Sequence, residues 1–386
     1  MPRARRTGRR DAPRVGVDFH AVDGIFQGVR SHLLSLYPHV CRARPDVEFY
    51  FFLEGVDALR RDPAFDLPNV HTVPMPGRDP VRRLLWQLPR LEREHDLDVL
   101  HTQYVAPPRL RATSVVTLHD VLFLSHPQFF TPFFRLRSRV LMKYSARRAG
   151  HVFTVSEWSR REILEHYALP EARVSVVRNA VDHQRFRPEE DAGEHADARD
   201  RIEDLGLVPG HYLLTVGRLE PRKNHSGLLR AFALLPTDVP PLVVAGPRHF
   251  GYEEALRLVD ELGLAQRVRF LHDVGDDLLP ALYRHARLFV FPSWAEGFGL
   301  PPLEAMASGV PVIVARGSAL SEVTEGAGVL VDPADPVEIA AALRRVLADE
   351  SLARHLAHRG RQRALQFDWA AEGRRAGDVY ARLLAA

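Results

Sequence analysis

Short β-branched runs alternate with longer stretches of helical period along almost the whole chain, and this alternation restricts the fold more than any other feature of the sequence. Strands separated by helix-length segments pair in parallel, with each crossover helix covering a face of the sheet. In the first half the runs are Val15 to Phe19, Val47 to Phe52, Val99 to Gln103, Ser114 to Leu118, His151 to Val155 and Val174 to Arg178. In the second half they are Tyr212 to Val216, Leu242 to Ala245, Val268 to Leu271, Leu288 to Phe291, Val310 to Val314 and Gly328 to Val331. The expected class is α/β, with two Rossmann-like doubly wound parallel-sheet domains facing across a cleft. A chain of 386 residues, 46% of them hydrophobic, also exceeds one ordinary core.

Residues 1–13 carry a cluster of arginines ahead of the first apolar run and read as a disordered basic arm. The amino domain is expected over 14–188. A linker over 189–204 follows, because Arg187 to Asp204 is charged, alanine-rich and almost free of aromatics. The carboxyl domain takes 205–366. The helix-patterned segment 367–386 has an apolar stripe and should dock back towards the amino domain.

Composition excludes several classes. Cys41 is the only cysteine, so there is no disulfide framework and no thiolate cluster; a plain buried thiol is expected. No apolar stretch reaches signal-peptide or membrane-spanning length, so the expected location is cytoplasmic, with room for a peripheral position at the inner face of the membrane. A formal charge of +3 and the lack of any module signature argue against nucleic acid as a partner.

In open parallel sheets, ligands bind beyond the carboxyl ends of the strands, and the richest motif falls there. Ser293 to Gly309 reads Ser-Trp-Ala-Glu-Gly-Phe-Gly-Leu-Pro-Pro-Leu-Glu-Ala-Met-Ala-Ser-Gly, between two strands. Pro301 and Pro302 suit a first helical turn and Gly309 a helix end. Gly297 and Gly299 leave backbone amides open to a polar ligand beside a helix N-terminus. Glu296 is placed in the loop and Glu304 in the first turn, where each carboxylate can accept hydrogen bonds from paired hydroxyls, one set on a hexose and one on a ribose. The alternative, that both carboxylates merely favour the helix dipole, leaves Glu296 and the glycine and proline pairs unexplained. Upstream, Gly217-Arg218-Leu219-Glu220-Pro221-Arg222-Lys223-Asn224 follows a strand, with Arg218 and Lys223 as a pyrophosphate clamp and Asn224 as helix cap.

These segments, with Val244-Ala245-Gly246-Pro247 and above all Glu296 set seven residues before Glu304, resemble glycosyltransferase family 4, the retaining enzymes of GT-B fold. The likeness runs from the strand at Val15 to the helix at Trp369. It implies a hexosyltransferase in which the carboxyl domain binds a nucleotide-diphosphate sugar as co-substrate and the amino domain lies on the acceptor side. No metal and no other cofactor are implied. By the same resemblance Glu296 and the backbone of Gly297, Phe298, Gly299 and Leu300 hold the donor sugar, Glu304 the ribose, and Gly217, Arg218 and Lys223 the diphosphate. Val274, in the His272 to Val274 loop, borders the base.

In the amino half, Gly28 matches the family's glycine-rich phosphate turn, whereas Phe26 and Gln27 stand where a second glycine is common and are assigned to the acceptor pocket. His119-Asp120 resembles the pair of bacterial members that often use a mannosyl donor. His119 is therefore grouped with Glu296, Arg218 and Lys223 as catalytic, and Asp120 with the acceptor. Asn179-Ala180-Val181-Asp182 reads as a structural turn, and Ser159 with Glu162 as a capping box. Asp96-Leu97-Asp98, a metal-binding pattern in another fold, reads as surface capping here. The segment Phe129 to Arg148 interleaves aromatics with cations; it reads first as an amphipathic helix with its apolar side in the core, and second as a peripheral membrane contact near a lipid-linked acceptor. Mannose-like transfer to a glycan or lipid-linked acceptor, in assembly of a cell-surface polysaccharide or glycolipid, is the leading expectation. A nucleotide-sugar epimerase of the same architecture and a catalytically silent binding subunit are the alternatives.

Overall fold

The computed structural model describes residues 12–23, 27–77, 79–189, 196–272 and 274–385. The basic residues Arg3 to Arg10 and the side chains of Phe26 and Gln27 lie outside these described parts, so the expectations placed on them are not addressed by the structure.

Two all-parallel sheets form. The first holds β1 (Arg14–Asp18), β2 (Glu48–Leu53), β3 (Val70–Pro74), β4 (Val99–Gln103), β5 (Thr113–Thr117), β6 (His151–Thr154) and β7 (Val174–Val176), in the order β3-β2-β1-β4-β5-β6-β7. The second holds β8 (Leu213–Val216), β9 (Leu242–Ala245), β10 (Val268–Leu271), β11 (Leu288–Phe291), β12 (Val312–Ala315) and β13 (Val329–Val331), in the order β10-β9-β8-β11-β12-β13. The strand order reverses direction at β1/β4 and at β8/β11, and helices covering both faces of each sheet leave a crevice at each reversal. This is the GT-B architecture expected from the sequence.

β3 has no counterpart among the expected strands. It is an edge strand whose residues are half-exposed and which ends in Pro74, so it has no buried apolar run to announce it. The segment 189–204 also differs from a plain linker. Ala196–Asp204 is helical, Ile202 is fully buried, and Arg201 pairs with Asp277 at 2.7 Å, so this part packs with the carboxyl domain.

The closing helix, Trp369–Ala385, lies along helix Gln27–Ala43 of the amino domain. Its Tyr380 hydroxyl meets His101 Nδ1 at 2.6 Å and the Tyr37 hydroxyl at 2.9 Å, while His101 Nε2 meets Thr117 Oγ1 at 2.7 Å. A buried imidazole in the middle of β4 is thus fully partnered, and burial takes its pKa down to about 3, which keeps it neutral. Glu372 Oε2 accepts from the Arg178 amide at 2.9 Å and ties the same helix to the end of the amino sheet. Burying the aromatic rings of Trp369 and Tyr380 stabilises this return by about 1.5–3 kcal/mol each.

Helix Pro132–Arg148 overturns its first reading. It buries Ser138, Met142, Ser145 and Ala146 and leaves Phe133, Leu136, Val140 and Tyr144 exposed. Short side chains let the helix sit close to the sheet, so its bulky apolar residues are not needed in the core and point outward.

Candidate active site

Every part of the site begins at a strand end. β8 runs into Gly217, and a Cβ on Gly246, which follows the neighbouring β9, would lie 2.1 Å from the Gly217 carbonyl oxygen. Only a residue without a side chain lets the two strand exits approach this closely. The chain then turns through Pro221–Lys223 into helix His225–Ala233, where Asn224 adopts φ +58° and its side chain accepts from the Gly227 amide at 3.2 Å. Asn224 is the cap expected of it, and its Nδ2 also donates to Pro292 O and Pro333 O, which locks the turn to the end of β11.

Glu296 sits at the centre of a compact charge cluster. Lys223 Nζ donates to its Oε1 at 2.7 Å and Ser293 Oγ to the same oxygen at 2.6 Å. Arg222 Nη1 stands 2.9 Å from Oε2 and donates to the Ala295 carbonyl at 2.7 Å, while Nη2 donates to Glu220 at 2.6 Å. The Glu296 side chain is 11% exposed, so burial favours its neutral form, yet the charges of Arg222 and Lys223 prevail and bring its pKa down to about 2. Burial holds Lys223 below the ordinary lysine value, against the pull of Glu296. Its ammonium also lies 4.9 Å from the Phe291 ring centroid. Arg218 lies half-buried beside Gly217 at the same strand end.

Arg222 carried no role in the sequence reading, although it stands next to Lys223. Its backbone carbonyl accepts from the Trp294 amide at 2.9 Å and from Ser293 Oγ at 3.0 Å. Backbone and guanidinium together clamp the loop that presents Glu296. A second cation beside a proposed clamp lysine was the signal that could have found it.

Helix Leu300–Ala307 starts from Gly299, at φ +112°, with Pro301 and Pro302 inside its first turn. Glu304 is its fifth residue, so it opens the second turn instead of lying in the first, where the helix dipole acts most strongly. Burial raises the Glu304 pKa to about 7, opposed by the neighbouring Tyr283 hydroxyl and by Arg185. Phe298 is buried and packs edge-on to Phe367, Leu300 is half-buried, and Val274 is half-buried against the same core.

The amino domain meets this loop directly. A Cβ built on Gly297 would lie 2.8 Å from both the His119 carbonyl oxygen and Asp120 Cβ. The Gly297 carbonyl accepts from Ser156 Oγ at 2.7 Å and Ser159 Oγ at 3.0 Å. The helix cap is therefore Ser156, which also accepts from the Ser159 amide at 3.0 Å, and Ser159 spends its hydroxyl across the cleft instead of on a capping box. Glu322 reinforces the junction by accepting from the Glu157 and Trp158 amides at 3.0 and 2.9 Å.

His119 is buried, with its Nε2 3.1 Å from Gln103 Oε1 and its ring edge-on to His32 at 4.9 Å. Burial, then the charges of His32 and His101, hold its pKa well below the usual histidine value, so it is neutral at pH 7. The Gln103 amide nitrogen is buried without a partner among the described residues, at the carboxyl end of β4. Asp120 is raised by burial, opposed by the Leu122 amide and by Arg222. Gly28 is the second residue of helix Gln27–Ala43, with nothing among the described residues within 4 Å of the point a Cβ would occupy. Asp98 Oδ2 accepts from the amide of Arg14, the first residue of β1, at 2.9 Å, a surface contact between neighbouring strand starts. A cavity of about 280 Å³ between Pro107 and Arg148 is lined by Thr113, Ser114 and Gly150, at the opposite ends of the strands, and holds none of these groups.

The chain resembles known proteins in both halves. The family model described as Glycosyl transferases group 1 matches residues 202–363, and that described as Glycosyltransferase Family 4 matches residues 26–185. O-antigen chain mannosyltransferase B of Escherichia coli is 34% identical over 292 residues, covering 75% of this chain and 74% of that protein. The serotype-specific mannosyltransferase WbdA of the same species is 31% identical over 277 residues, and there the match spans only 34% of the relative's length. The crystal structure of Anabaena HepE in complex with UDP-glucose superposes with a TM-score of 0.75 at 20% identity, covering 96% of this chain and 99% of that one, which speaks to the fold. With both domains matched and the Glu296 to Glu304 motif on one wall of the cleft, the chain belongs to glycosyltransferase family 4 and is a glycosyltransferase of GT-B fold.

Proposed function

We propose that the protein is a retaining, metal-independent hexosyltransferase that moves a mannose-like hexose from a nucleoside diphosphate sugar to a glycan or lipid-linked acceptor, in assembly of a cell-surface polysaccharide or glycolipid. The observation that carries this reading is the buried Glu296–Lys223–Arg222 cluster, pressed through Gly297 against His119 and Asp120. The names of the two Escherichia coli relatives support mannose and a surface polysaccharide, and the UDP-glucose held by HepE supports a nucleotide-sugar donor.

On this reading the donor exchanges partners with the resting ion pairs. Its diphosphate takes Lys223 and Arg218, and its sugar hydroxyls donate to the Glu296 carboxylate that Lys223 releases. Charge developing on the leaving diphosphate is met by preorganised cations, which is the work a metal performs elsewhere. Glu304 accepts from the ribose, and Val274 borders the base. His119, kept neutral, hydrogen-bonds the sugar rather than serving as a cationic acid. The acceptor proton passes to the departing diphosphate oxygen on the same face, so no side chain has to act as nucleophile.

The test is turnover. Purified protein is incubated with a panel of guanosine and uridine diphosphate hexoses and with soluble and lipid-linked acceptors, in the presence of EDTA. Nucleoside diphosphate release and the anomeric configuration of the product are measured. Retention with EDTA-resistant turnover supports the reading; an inverted product, or activity abolished by EDTA, overturns it.

A further inference from the structure

The outward face of helix Pro132–Arg148 has no use in the chemistry above. At about 100° per residue, Phe133, Leu136, Val140 and Tyr144 fall on one stripe, diametrically opposite the stripe formed by Ser138, Met142, Ser145 and Ala146. The second stripe is the one buried against the protein, and the first is exposed, with Phe133 75% and Leu136 67% accessible. The helix carries six cations and no acidic residue. Lys143 flanks the apolar stripe on one side and Arg137 and Arg148 on the other, and Arg137 and Arg148 stand over the Phe134 and Tyr144 rings at 5.8 and 5.4 Å.

We infer that this helix lies flat on an anionic lipid bilayer, with the Phe133 to Tyr144 stripe in the headgroup boundary and the flanking cations at the phosphates. Apolar side chains gain by leaving water, and long cationic side chains reach the anionic layer beside them. Charge decides among occupants. A second copy docking through the same face would bring like charges together, and a nucleic acid would satisfy the cations while leaving the aliphatic stripe without a partner.

The position bears on the acceptor, and this part rests on the proposed function. Phe130 stacks on Phe134 at 5.5 Å, and Phe129 lies 6.3 Å from Trp294, two residues before Glu296. The membrane face is thus continuous with the rim of the cleft, so a lipid-linked acceptor reaches the site from the bilayer on which the protein rests.

The experiment is co-sedimentation of the full chain with phosphatidylcholine vesicles, with and without phosphatidylglycerol. Binding should require the anionic lipid and weaken with salt. Phe133→Ser with Leu136→Ser should lower partitioning at least tenfold, by about the free energy of burying two such side chains partway. Arg137→Glu with Lys143→Glu should lower it on the order of a hundredfold. Circular dichroism and nucleoside diphosphate binding, unchanged in both variants, establish that they fold. Variants that sediment like the parent, or a parent that binds duplex nucleic acid or forms dimers through this face instead of binding vesicles, would overturn the inference. In turnover, both variants should lose activity on vesicle-borne acceptor and keep it on a soluble one. A protein that binds vesicles yet transfers no sugar to any acceptor would refute the proposed function and leave the membrane face standing.

Discussion

If donor and resting ion pair compete for Lys223, then Glu296→Gln should bind nucleoside diphosphate more tightly than the parent while losing transfer. The magnitude follows from the cluster. Moving a carboxyl from 4.5 to about 2 represents about 3 kcal/mol of interaction with the ionised form. Arg222 and Lys223 supply the charges, and Lys223 and Ser293 the side-chain hydrogen bonds, so Lys223 holds a share of that interaction. Releasing on the order of 1 kcal/mol of competition should tighten nucleoside diphosphate binding several-fold. Isothermal titration with the diphosphate alone reads this directly, because the hydroxyl-binding role of Glu296 is absent from that ligand. Glu296→Gln also leaves two partly buried cations less compensated, so its unfolding free energy at neutral pH should fall by about 2–4 kcal/mol. A depressed carboxyl contributes stability above pH 4.5 that is lost as pH falls towards 2, so the gap between parent and variant should close across that window. A folded Glu296→Gln protein with unchanged or weaker diphosphate affinity would refute the idea that donor binding works by partner exchange.

Other perturbations test neighbouring parts of the site. Gly297→Ala sets a methyl group 2.8 Å from His119 O and Asp120 Cβ; it should cost about 1–3 kcal/mol of stability and widen the cleft, seen as a larger radius of gyration in solution scattering. Ser156→Ala with Ser159→Ala removes both hydroxyls from the Gly297 carbonyl and should lower kcat more than it changes donor KM, because closure rather than donor contact is lost. Glu304, with a pKa near 7, should make donor affinity rise with pH through neutrality, and Glu304→Gln should flatten that profile. Since the folded state favours the protonated Glu304, its stabilising effect is present below pH 4.5 and is lost as pH rises through 7; thermal melts of parent and Glu304→Gln should diverge in that direction. Tyr380→Phe removes one partner of His101 and should cost about 1–2 kcal/mol in urea unfolding.

Much of the site was legible because it is local. Asn224, the proline pair and the run from Glu296 to Glu304 are each set by a strand end, a turn and the first turns of a helix, and that geometry is encoded over a few residues. Arg222 was missed because its function is a set of contacts to Ala295, Glu220 and Glu296, none of which sequence proximity to Lys223 specifies. Ser159 was misassigned for a related reason. Its spacing to Glu162 fits a capping box, but Ser156 starts the helix and the hydroxyl of Ser159 is drawn across the cleft. β3 escaped notice because an edge strand buries too little to leave a periodic apolar signal.

The alternation of strands and helices by itself determined two parallel sheets, the position of the strand ends and therefore which loops could hold a ligand. Tertiary structure alone decided that Gly297 is wedged against His119 and Asp120, that Tyr380 of the closing helix meets His101 and Tyr37, and that the bulky side of helix Pro132–Arg148 faces outward. Periodicity reports which side chains of one element share a face. Which face is covered, and by what, depends on the size of the residues opposite, and those come from distant parts of the chain.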